Sequence, residues 1–250
     1  MSKTETYLIY GMHAVHAALE KEPENITRIW LEQSRRDQRG SAIMGLAKQN
    51  GIEVERVTRD ELDKRVPDAT HQGVAAESKA KAALDEAGLK QLLDNLDETP
   101  FLLILDGVTD PHNLGACLRT ADAAGVHAVI VPRDKACGLT PVVRKVASGA
   151  VETVPFVQVT NLARTLKSLK ERNIWLIGTD LDTEQDLYQA DLTGPLALVM
   201  GAEGKGMRRL TREHCDFLLK LPMQGSVQSL NVSVSTGICL YEAVRQRQSS

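Results

Sequence analysis

Residues 221–242 have the side chains and the predicted backbone features of a small-molecule site. An apolar strand pattern at residues 217–221 leads into a loop that contains Gly and Ser, and a helical pattern begins near Leu230. The first N–H groups of a helix have no partner inside the helix, so they can bind a polar ligand, while Leu221, Met223 and Leu230 offer it apolar walls. The pattern therefore predicts a binding site. A packed terminal helix that binds nothing is the alternative.

A second glycine-containing stretch also suits close approach to a ligand. Residues 201–206 read Gly-Ala-Glu-Gly-Lys-Gly after an apolar run, and glycine lets a backbone come close to a bound group. The spacing fits neither the GxGxxG dinucleotide fingerprint nor the GxxxxGK[ST] phosphate loop. The absence of both fingerprints argues against one possible function, that of a nucleotide-dependent oxidoreductase.

Composition indicates a globular protein with a sizeable core. The chain has 250 residues, 42% hydrophobic and 25% charged, which suits one or two domains. It has no apolar run of membrane-spanning length and no signal-peptide core at its start, so we expect a cytoplasmic protein without a membrane partner. The four cysteines lack CxxC spacing, and His13 and His16 have no evident further ligand. We therefore expect reduced thiols and no metal site.

The charge balance requires any RNA binding to come from local basic patches. The formal net charge is −3 and the isoelectric point is about 6.1, so the whole chain does not attract nucleic acid. Two clusters are candidates for phosphate contact, and a solvated surface is the alternative for both. They are Arg28, Arg35, Arg36 and Arg39 near the N-terminus, and Lys205, Arg208, Arg209 and Arg212 after the glycine-containing stretch.

Hydrophobic periodicity predicts two regions joined by a linker. Residues 1–78 form a compact α/β unit, with helices at 13–21 and 40–50 and strands at 26–31, 52–57 and 73–76. Residues 79–99 form a linker and a helix, since Leu89, Leu92, Leu93 and Leu96 recur at helical spacing before Pro100.

Residues 100–250 alternate short apolar runs with helical segments. The runs lie at 101–105, 128–131, 154–159, 175–178, 196–200 and 217–221, and one of the helices contains Leu162, Leu166 and Leu169. Continuous apolar strands separated by helices predict a mostly parallel sheet that is covered on both faces. The periodicity therefore predicts a Rossmann-like α/β domain.

Three long motifs resemble those of the SpoU family of RNA ribose 2′-O-methyltransferases. Residues 106–121 read Asp-Gly-Val-Thr-Asp-Pro-His-Asn-Leu-Gly-Ala-Cys-Leu-Arg-Thr-Ala, residues 198–206 read Leu-Val-Met-Gly-Ala-Glu-Gly-Lys-Gly, and residues 221–234 match Leu-Pro-Met-x-Gly-x-x-x-Ser-Leu-Asn-Val-Ser-Val. Residues 10–15, Tyr-Gly-Met-His-Ala-Val, resemble the subgroup that has a small substrate-binding domain in front. The resemblance covers nearly the whole chain and is strongest from Pro100 onward.

The resemblance implies a fold, a cofactor and a substrate. The C-terminal domain would belong to the SPOUT class, in which the last strand and helix pass through a preceding loop as a trefoil knot. The N-terminal domain would have a ribosomal-protein-like RNA-binding fold. The implied cofactor is S-adenosylmethionine, and the implied substrate is a guanosine ribose in 23S rRNA rather than DNA. Methylation of tRNA, or a non-catalytic role in rRNA assembly, is the alternative.

Family relatives form homodimers through the catalytic domain, and the last helix suits such packing. Residues 232–236 are poor helix formers, which predicts that this helix lies close to a ligand or to a second backbone. A homodimer is therefore expected.

The resemblance also implies which residues form the cofactor site. Gly201, Leu221 and Leu230 would border S-adenosylmethionine, and Met223 would complete the pocket. Arg119 matches the arginine of the first motif. Because a guanidinium resists deprotonation, we expect Arg119 to stabilise charge on the ribose oxygen and to hold a phosphate rather than to act as the general base.

Four further polar residues are candidates for the catalytic site, and each has a structural alternative. Asn113 would hold substrate or cap the helix that carries Arg119. Glu203 would orient Arg119 or accept a hydrogen bond from the ligand, and an ion pair with Lys205 is the alternative. Ser229 and Asn231 would cap the final helix, and the family pattern also places them where they would hold the motif loops and the substrate.

Overall fold

The structure is a computed structural model that describes residues 6–67, 70–79 and 83–248. It divides into two compact units, Met1–Ala82 and Ala83–Ser250. Residues 80–82 of the predicted linker lie outside the described residues. In the described parts, no helix is both long and apolar enough to cross a membrane.

The first unit is a sheet with helices on both faces. Its strands are β1 (Thr6–Tyr10), β2 (Ile26–Glu32), β3 (Val54–Val57) and β4 (Val74–Lys79), in the order β1-β4-β2-β3. The helices are α1 (Met12–Lys21), α2 (Gln38–Gln49) and α3 (Arg59–Arg65). β4 pairs antiparallel with β1 and β2, whereas β2 and β3 are parallel.

Two elements of this unit were missed by the sequence patterns. β1 reads Thr-Tyr-Leu-Ile-Tyr, but none of its residues is fully buried, and the pattern was not assigned to a strand. α3 buries only Leu62, and it is stabilised locally by a capping box between Thr58 and Glu61. Neither element has the periodicity that identifies a packed strand or helix.

The second unit contains a parallel sheet, and six strands of this sheet lie within the described residues. They are β5 (Phe101–Asp106), β6 (Ala128–Pro132), β7 (Phe156–Val159), β8 (Trp175–Thr179), β9 (Leu196–Gly201) and β10 (Phe217–Leu219), in the order β10-β8-β9-β5-β6-β7. Every pairing between neighbouring strands is parallel. The predicted mostly parallel sheet is confirmed.

Helices cover both faces of this sheet. They are α4 (Glu86–Asp94), α5 (Pro111–Ala123), α6 (Pro141–Ala147), α7 (Ala150–Thr153), α8 (Leu162–Glu171), α9 (Arg209–His214) and α10 (Val232–Gln248). Alternate residues of β5 point to different cores: Phe101 and Leu103 pack in the core beneath α5 and α10, and Leu102 and Ile104 pack beneath α4 and α8. This two-sided burial explains why the strands read as continuous apolar runs.

Several predicted boundaries differ from the structure. β10 ends at Leu219 rather than at Leu221, shortly before Pro222, which has no N–H to donate to a sheet. α10 begins at Val232, two residues later than the pattern predicted. The short helices α6, α7 and α9 were not predicted, because four to seven residues are too few to establish a period.

Candidate active site

The motif residues lie where four parallel strands end at the same edge of the sheet. β10, β8, β9 and β5 are neighbours in that order, and Asp106 at the end of β5 pairs with Gly201 at the end of β9. The chain adds β6 and β7 on one side of β5, and β8, β9 and β10 on the other. Such a reversal of strand order opens a crevice beyond the carboxyl ends, which is where open α/β sheets bind ligands.

Asn231 connects parts of all three motifs. Its Nδ2 donates hydrogen bonds to Asn113 Oδ1 at 2.9 Å and to Glu203 Oε1 at 2.5 Å. Its Oδ1 accepts from the backbone N–H of Ser233 at 2.9 Å and from Ser233 Oγ at 2.6 Å. The predicted capping of the final helix by Asn231 is confirmed. One side chain therefore fixes the start of α10 and joins it to the other two motifs.

Asn113 does not cap α5, so that alternative was wrong. Asp110 is the N-cap residue, and its Oδ1 accepts from the backbone N–H of Asn113 at 2.8 Å. Proline at the first helical position, Pro111, leaves the cap to the residue before it. The amide of Asn113 is thus free to accept the hydrogen bond from Asn231.

Glu203 contacts the last motif rather than Arg119 or Lys205. Its Oε1 accepts from Asn231 Nδ2 and from the backbone N–H of Val232 at 3.2 Å. An acid beside the first N–H groups of α10 is favoured by the helix dipole. In the described residues Glu203 forms no ion pair with Lys205, so that alternative was wrong, and it makes no hydrogen bond or ion pair with Arg119; acceptance of a hydrogen bond from the ligand stays a prediction.

Arg119 and Ser229 are not part of this network. Both side chains are exposed, and neither forms a hydrogen bond or an ion pair with another residue among those described. The helix cap that Ser229 was expected to share belongs to Asn231 alone. Arg119 lies on α5, and its guanidinium is open to solvent.

Gly201 is required by its own loop. A Cβ at this position would lie 2.3 Å from Gly206 C and Met207 N, because the loop folds back on the end of β9. Ala202 and Gly206 exchange backbone hydrogen bonds of 3.1 and 2.9 Å. From the sequence we expected this glycine to allow the approach of a ligand, whereas the tight contact in the structure is with residues 206–207.

Asp106 anchors the other end of the same loop and was not recognised as a site residue. It is 1% exposed. Its carboxylate accepts from the backbone N–H of Arg208 at 2.9 Å and from Arg208 Nε and Nη2 at 2.5 Å. A buried carboxylate is stable only when it is paired and hydrogen-bonded. An aspartate at the end of an apolar strand was the available signal.

Most of the second basic cluster is paired within the protein. Arg208 binds Asp106, Arg209 Nη1 lies 2.7 Å from Glu213, and Arg212 Nε lies 2.5 Å from Asp180. Lys205 is exposed and forms no ion pair with any described residue. The expectation that all four cations are available to RNA phosphates is therefore weakened for three of them.

The predicted cofactor-binding side chains line a loop with free backbone groups. Leu221, Met223 and Leu230 are half-buried, and Leu221 packs against the core. None of the backbone N–H groups of residues 221–231 donates to the backbone of another described residue. Half-buried apolar side chains beside unpaired amides suit a ligand with both an aromatic base and polar groups. The donor set therefore fits S-adenosylmethionine.

The thiols near this edge are structural. Burial raises the pKa of Cys117 to about 11 and that of Cys239 to about 12. Cys117 Sγ lies 3.6 Å from Thr236 Oγ1, between α5 and α10. Thiols with such pKa values are protonated at neutral pH, so they are not nucleophiles there. No cluster of three or more metal-ligating side chains occurs in the described ranges.

Both units match family models. Residues 100–241 match the SpoU rRNA Methylase family, and residues 8–83 match a model for RNA 2′-O ribose methyltransferase substrate binding.

Named relatives cover nearly the full chain. A 23S rRNA (guanosine-2′-O-)-methyltransferase of Pseudomonas putida is 59% identical over 96% of this chain and 96% of its own length. The enzyme of the same name from Escherichia coli is 55% identical over 96% and 98%. Among solved structures, the AdoMet complex of a SpoU methyltransferase from Streptomyces viridochromogenes has a TM-score of 0.79 at 26% identity and covers 98% of this chain and 92% of its own.

Proposed function

The chain belongs to the SpoU rRNA methylase family, and on this basis we propose that it transfers a methyl group from S-adenosylmethionine to the ribose 2′-hydroxyl of a guanosine in 23S rRNA. The supporting structural observation is the junction at Asn231, where side chains from three distant motifs meet at one sheet edge. The enzyme acts in the cytoplasm, where its rRNA substrate is made.

The site must hold three atoms in line. When bound, S-adenosylmethionine would supply a methyl group that leaves the sulfonium sulfur as its bond to the ribose 2′-oxygen forms and the hydroxyl proton is released, so positioning is the main task of this chain. We assign the contact with the oxygen to Arg119, whose exposed guanidinium carries five donors. It stabilises negative charge on the 2′-oxygen and grips the adjacent phosphate.

The other polar residues hold the loops in place. Asn113, Glu203 and Asn231 connect α5, the loop after β9 and the start of α10, so they fix the distance between the cofactor loop and the helix that carries Arg119. Ser229 is exposed in the loop before α10 and is assigned to contact with the substrate.

The cofactor pocket lies beside these residues at the same edge. Gly201 keeps the loop after β9 compact, while Leu221, Met223 and Leu230 would pack on the apolar parts of the cofactor. The unpaired backbone amides of residues 221 and 223–231 would donate to its polar atoms.

The functional test is direct. Purified protein is incubated with S-adenosylmethionine and unmodified 23S rRNA or tRNA, and each RNA is digested and its nucleosides are analysed by mass spectrometry. We expect 2′-O-methylguanosine from 23S rRNA only. A product from tRNA alone would overturn the substrate assignment, and no product together with no cofactor binding would overturn the enzyme assignment.

Arg119→Lys tests the role of the guanidinium in the same assay. A lysine keeps the charge but loses the fork of donors, so turnover should fall roughly tenfold to a hundredfold, the equivalent of about 1.4–3 kcal/mol. The Kd for S-adenosylmethionine should not change. Turnover equal to that of the parent protein would remove Arg119 from the mechanism.

We also propose a homodimer that forms through α10. This helix is apolar on two faces: Val232, Thr236 and Cys239 pack inward, whereas Val234 and Tyr241 on the outer face are each 50% exposed. An apolar stripe that remains exposed on a packed helix favours a second copy as its partner.

The proposed function also assigns a role to each part of the chain. Residues 1–78 form the substrate-binding domain, residues 79–99 a linker and helix, and residues 100–250 the methyl-transfer domain. We infer that the last strand and helix pass through a preceding loop and so form the trefoil knot of the SPOUT class. Through the hydrogen bonds of Glu203 with Asn231 and Val232, the start of α10 lies against the loop after β9.

A further inference from the structure

One edge of the first unit collects the ends of three strands. Since β4 is antiparallel to both β1 and β2, and β3 is parallel to β2, the carboxyl ends of β1, β2 and β3 lie at the same edge. The connections to α1, α2 and α3 start there as well. Residues that are distant in sequence therefore share one surface.

Three arginines at this edge form no ion pair with a described residue, although one of them, Arg39, lies near enough to Asp37 to help the hydrogen bond from the Gly40 N–H lower the pKa of that carboxyl. Arg36 precedes α2, Arg39 is in the first turn of α2, and Arg59 is the first residue of α3. All three are exposed, and none forms a hydrogen bond or an ion pair with any other described residue. We refer to Arg36, Arg39 and Arg59 as the arginine edge.

The nearby polar groups are occupied in fixing the backbone that carries the arginine edge. Asp37 accepts from the backbone N–H of Gly40 at 2.9 Å and from Arg35 Nη1 at 2.7 Å. Arg56 Nη1 donates to the carbonyl oxygens of Glu32 at 3.1 Å and Arg35 at 3.0 Å, which holds the connection after β2.

The start of α3 is fixed in the same way. Glu61 binds the backbone N–H and the hydroxyl of Thr58 at 2.7 and 2.9 Å, which completes the capping box just before Arg59. The backbone positions are thus preset, while the guanidinium groups stay available.

Helix stability does not explain these positions. The N-terminus of a helix carries partial positive charge, so a cation in the first turn is disfavoured there. Arg39 and Arg59 both occupy a first turn. Cations at such positions gain from an external anion rather than from their own helices.

Among the described residues, this edge offers charge but no fully exposed aromatic ring, since Tyr10 at the end of β1 is half-buried. Trp30 is 6% exposed, and its Nε1 donates to Glu55, so it cannot stack on a base. We propose that the arginine edge binds the phosphate backbone of the RNA substrate and supplies affinity without reading sequence. The proposal rests on the proposed function, because it assumes an RNA substrate.

The test is a triple variant, Arg36→Gln, Arg39→Gln and Arg59→Gln, that binds unmodified 23S rRNA over a range of salt concentrations. Each lost phosphate contact lowers the slope of log K against log salt by roughly 0.7 on single-stranded RNA, so we expect a decrease of about 2. The KM for RNA should rise at least about tenfold. The kcat at saturating RNA and the Kd for S-adenosylmethionine should not change.

A matched control carries the same change in charge at the opposite edge. Lys21 and Lys48 end α1 and α2, and Lys79 ends the antiparallel β4, so all three lie away from the arginine edge. The variant Lys21→Gln, Lys48→Gln and Lys79→Gln should keep the slope of the parent protein. The proposal would be overturned if the slope of log K against log salt decreased equally in both triple variants, or if it did not decrease in the arginine variant. The salt dependence of RNA binding is measured without methyl transfer. A parent protein that binds RNA but does not methylate it would therefore contradict the proposed function and not the role of the arginine edge.

Discussion

At the scale of single residues, Asn231 has two separate tasks in one amide. Its Oδ1 caps α10 through Ser233, and its Nδ2 reaches Asn113 and Glu203. An aspartate can perform only the first task, because a carboxylate caps a helix but has no N–H to donate. A substitution of Asn231 can therefore keep the cap of α10 and remove only the hydrogen bonds to the other two motifs.

We predict that Asn231→Asp lowers turnover at least about tenfold, the equivalent of about 1.4 kcal/mol. The new carboxylate would face the carboxylate of Glu203 and the carbonyl oxygen of Asn113, so the loops would separate. In the double variant Asn231→Asp with Glu203→Gln, the side-chain amide N–H at position 203 can donate a hydrogen bond to the carboxylate at position 231, so the direction of the original bond is reversed. Methyl transfer by the double variant should exceed that by the single variant, and equal rates would contradict the assigned role.

At the scale of elements, the loop after β9 is held at both ends. Gly201 allows residues 206–207 to lie against the end of β9, and Asp106 binds the backbone and the guanidinium of Arg208. Glu203 projects from this loop to α10. Movement of the loop would therefore disturb the cofactor site and the motif junction together.

We predict that Gly201→Ala lowers both the Tm and the affinity for S-adenosylmethionine, the latter at least about tenfold, because a Cβ cannot fit 2.3 Å from the neighbouring backbone. Gly194→Ala is a matched control, since no heavy atom lies within 4 Å of its added Cβ. Calorimetric titration and thermal unfolding measure the two effects. Normal cofactor binding by Gly201→Ala would show that the loop tolerates displacement.

Glu86 connects α4 to the segment between β7 and α8. Its Oε1 accepts from Thr160 Oγ1 at 2.5 Å and from the backbone N–H of Thr160 at 2.7 Å. The hydrogen bond from the Thr160 hydroxyl is the main reason that the pKa of Glu86 falls from its usual 4.5 to about 2. The ionised carboxylate therefore stabilises the fold above about pH 4.5, and this contribution is lost as the pH falls to about 2.

We predict that Glu86→Gln lowers the free energy of unfolding at pH 7 by about 1 kcal/mol, a modest value because the side chain remains 33% exposed. Urea denaturation of both proteins at several pH values measures the difference. The difference should shrink as the pH falls from about 4.5 toward 2. A difference that stays constant over this range would contradict the assignment of the low pKa to Glu86.

At the scale of the whole molecule, the outer face of α10 should determine the oligomeric state. The double variant Val234→Lys and Tyr241→Lys places two charges on a surface where each side chain is 50% exposed. We predict a monomer by sedimentation, because burying unpaired charges in an interface is costly.

Leu210→Lys is the control for this prediction. Leu210 is 51% exposed on α9, which packs beside α8 over the other face of the sheet. This variant should remain a dimer. A monomeric parent protein, or a double variant that still dimerises, would contradict an interface through α10.

The sequence alone was sufficient to predict the parallel sheet, because buried strands and amphipathic helices repeat with periods that are local properties of the chain. It also located the three motifs whose residues meet at the sheet edge. Short or exposed elements such as β1 and α3 were missed, because they bury too few side chains to show a period.

Only the tertiary structure decided which polar groups pair. From the sequence, Asn113 could hold substrate or cap a helix and Arg208 was a candidate for RNA phosphate contact, but Asn113 pairs with Asn231, and Arg208 pairs with Asp106 across 102 positions of sequence. Such pairs depend on the order β10-β8-β9-β5, which brings the ends of distant strands together. Periodicity describes the face on which a residue lies and contains no information about strand order, so these partners follow from the fold alone.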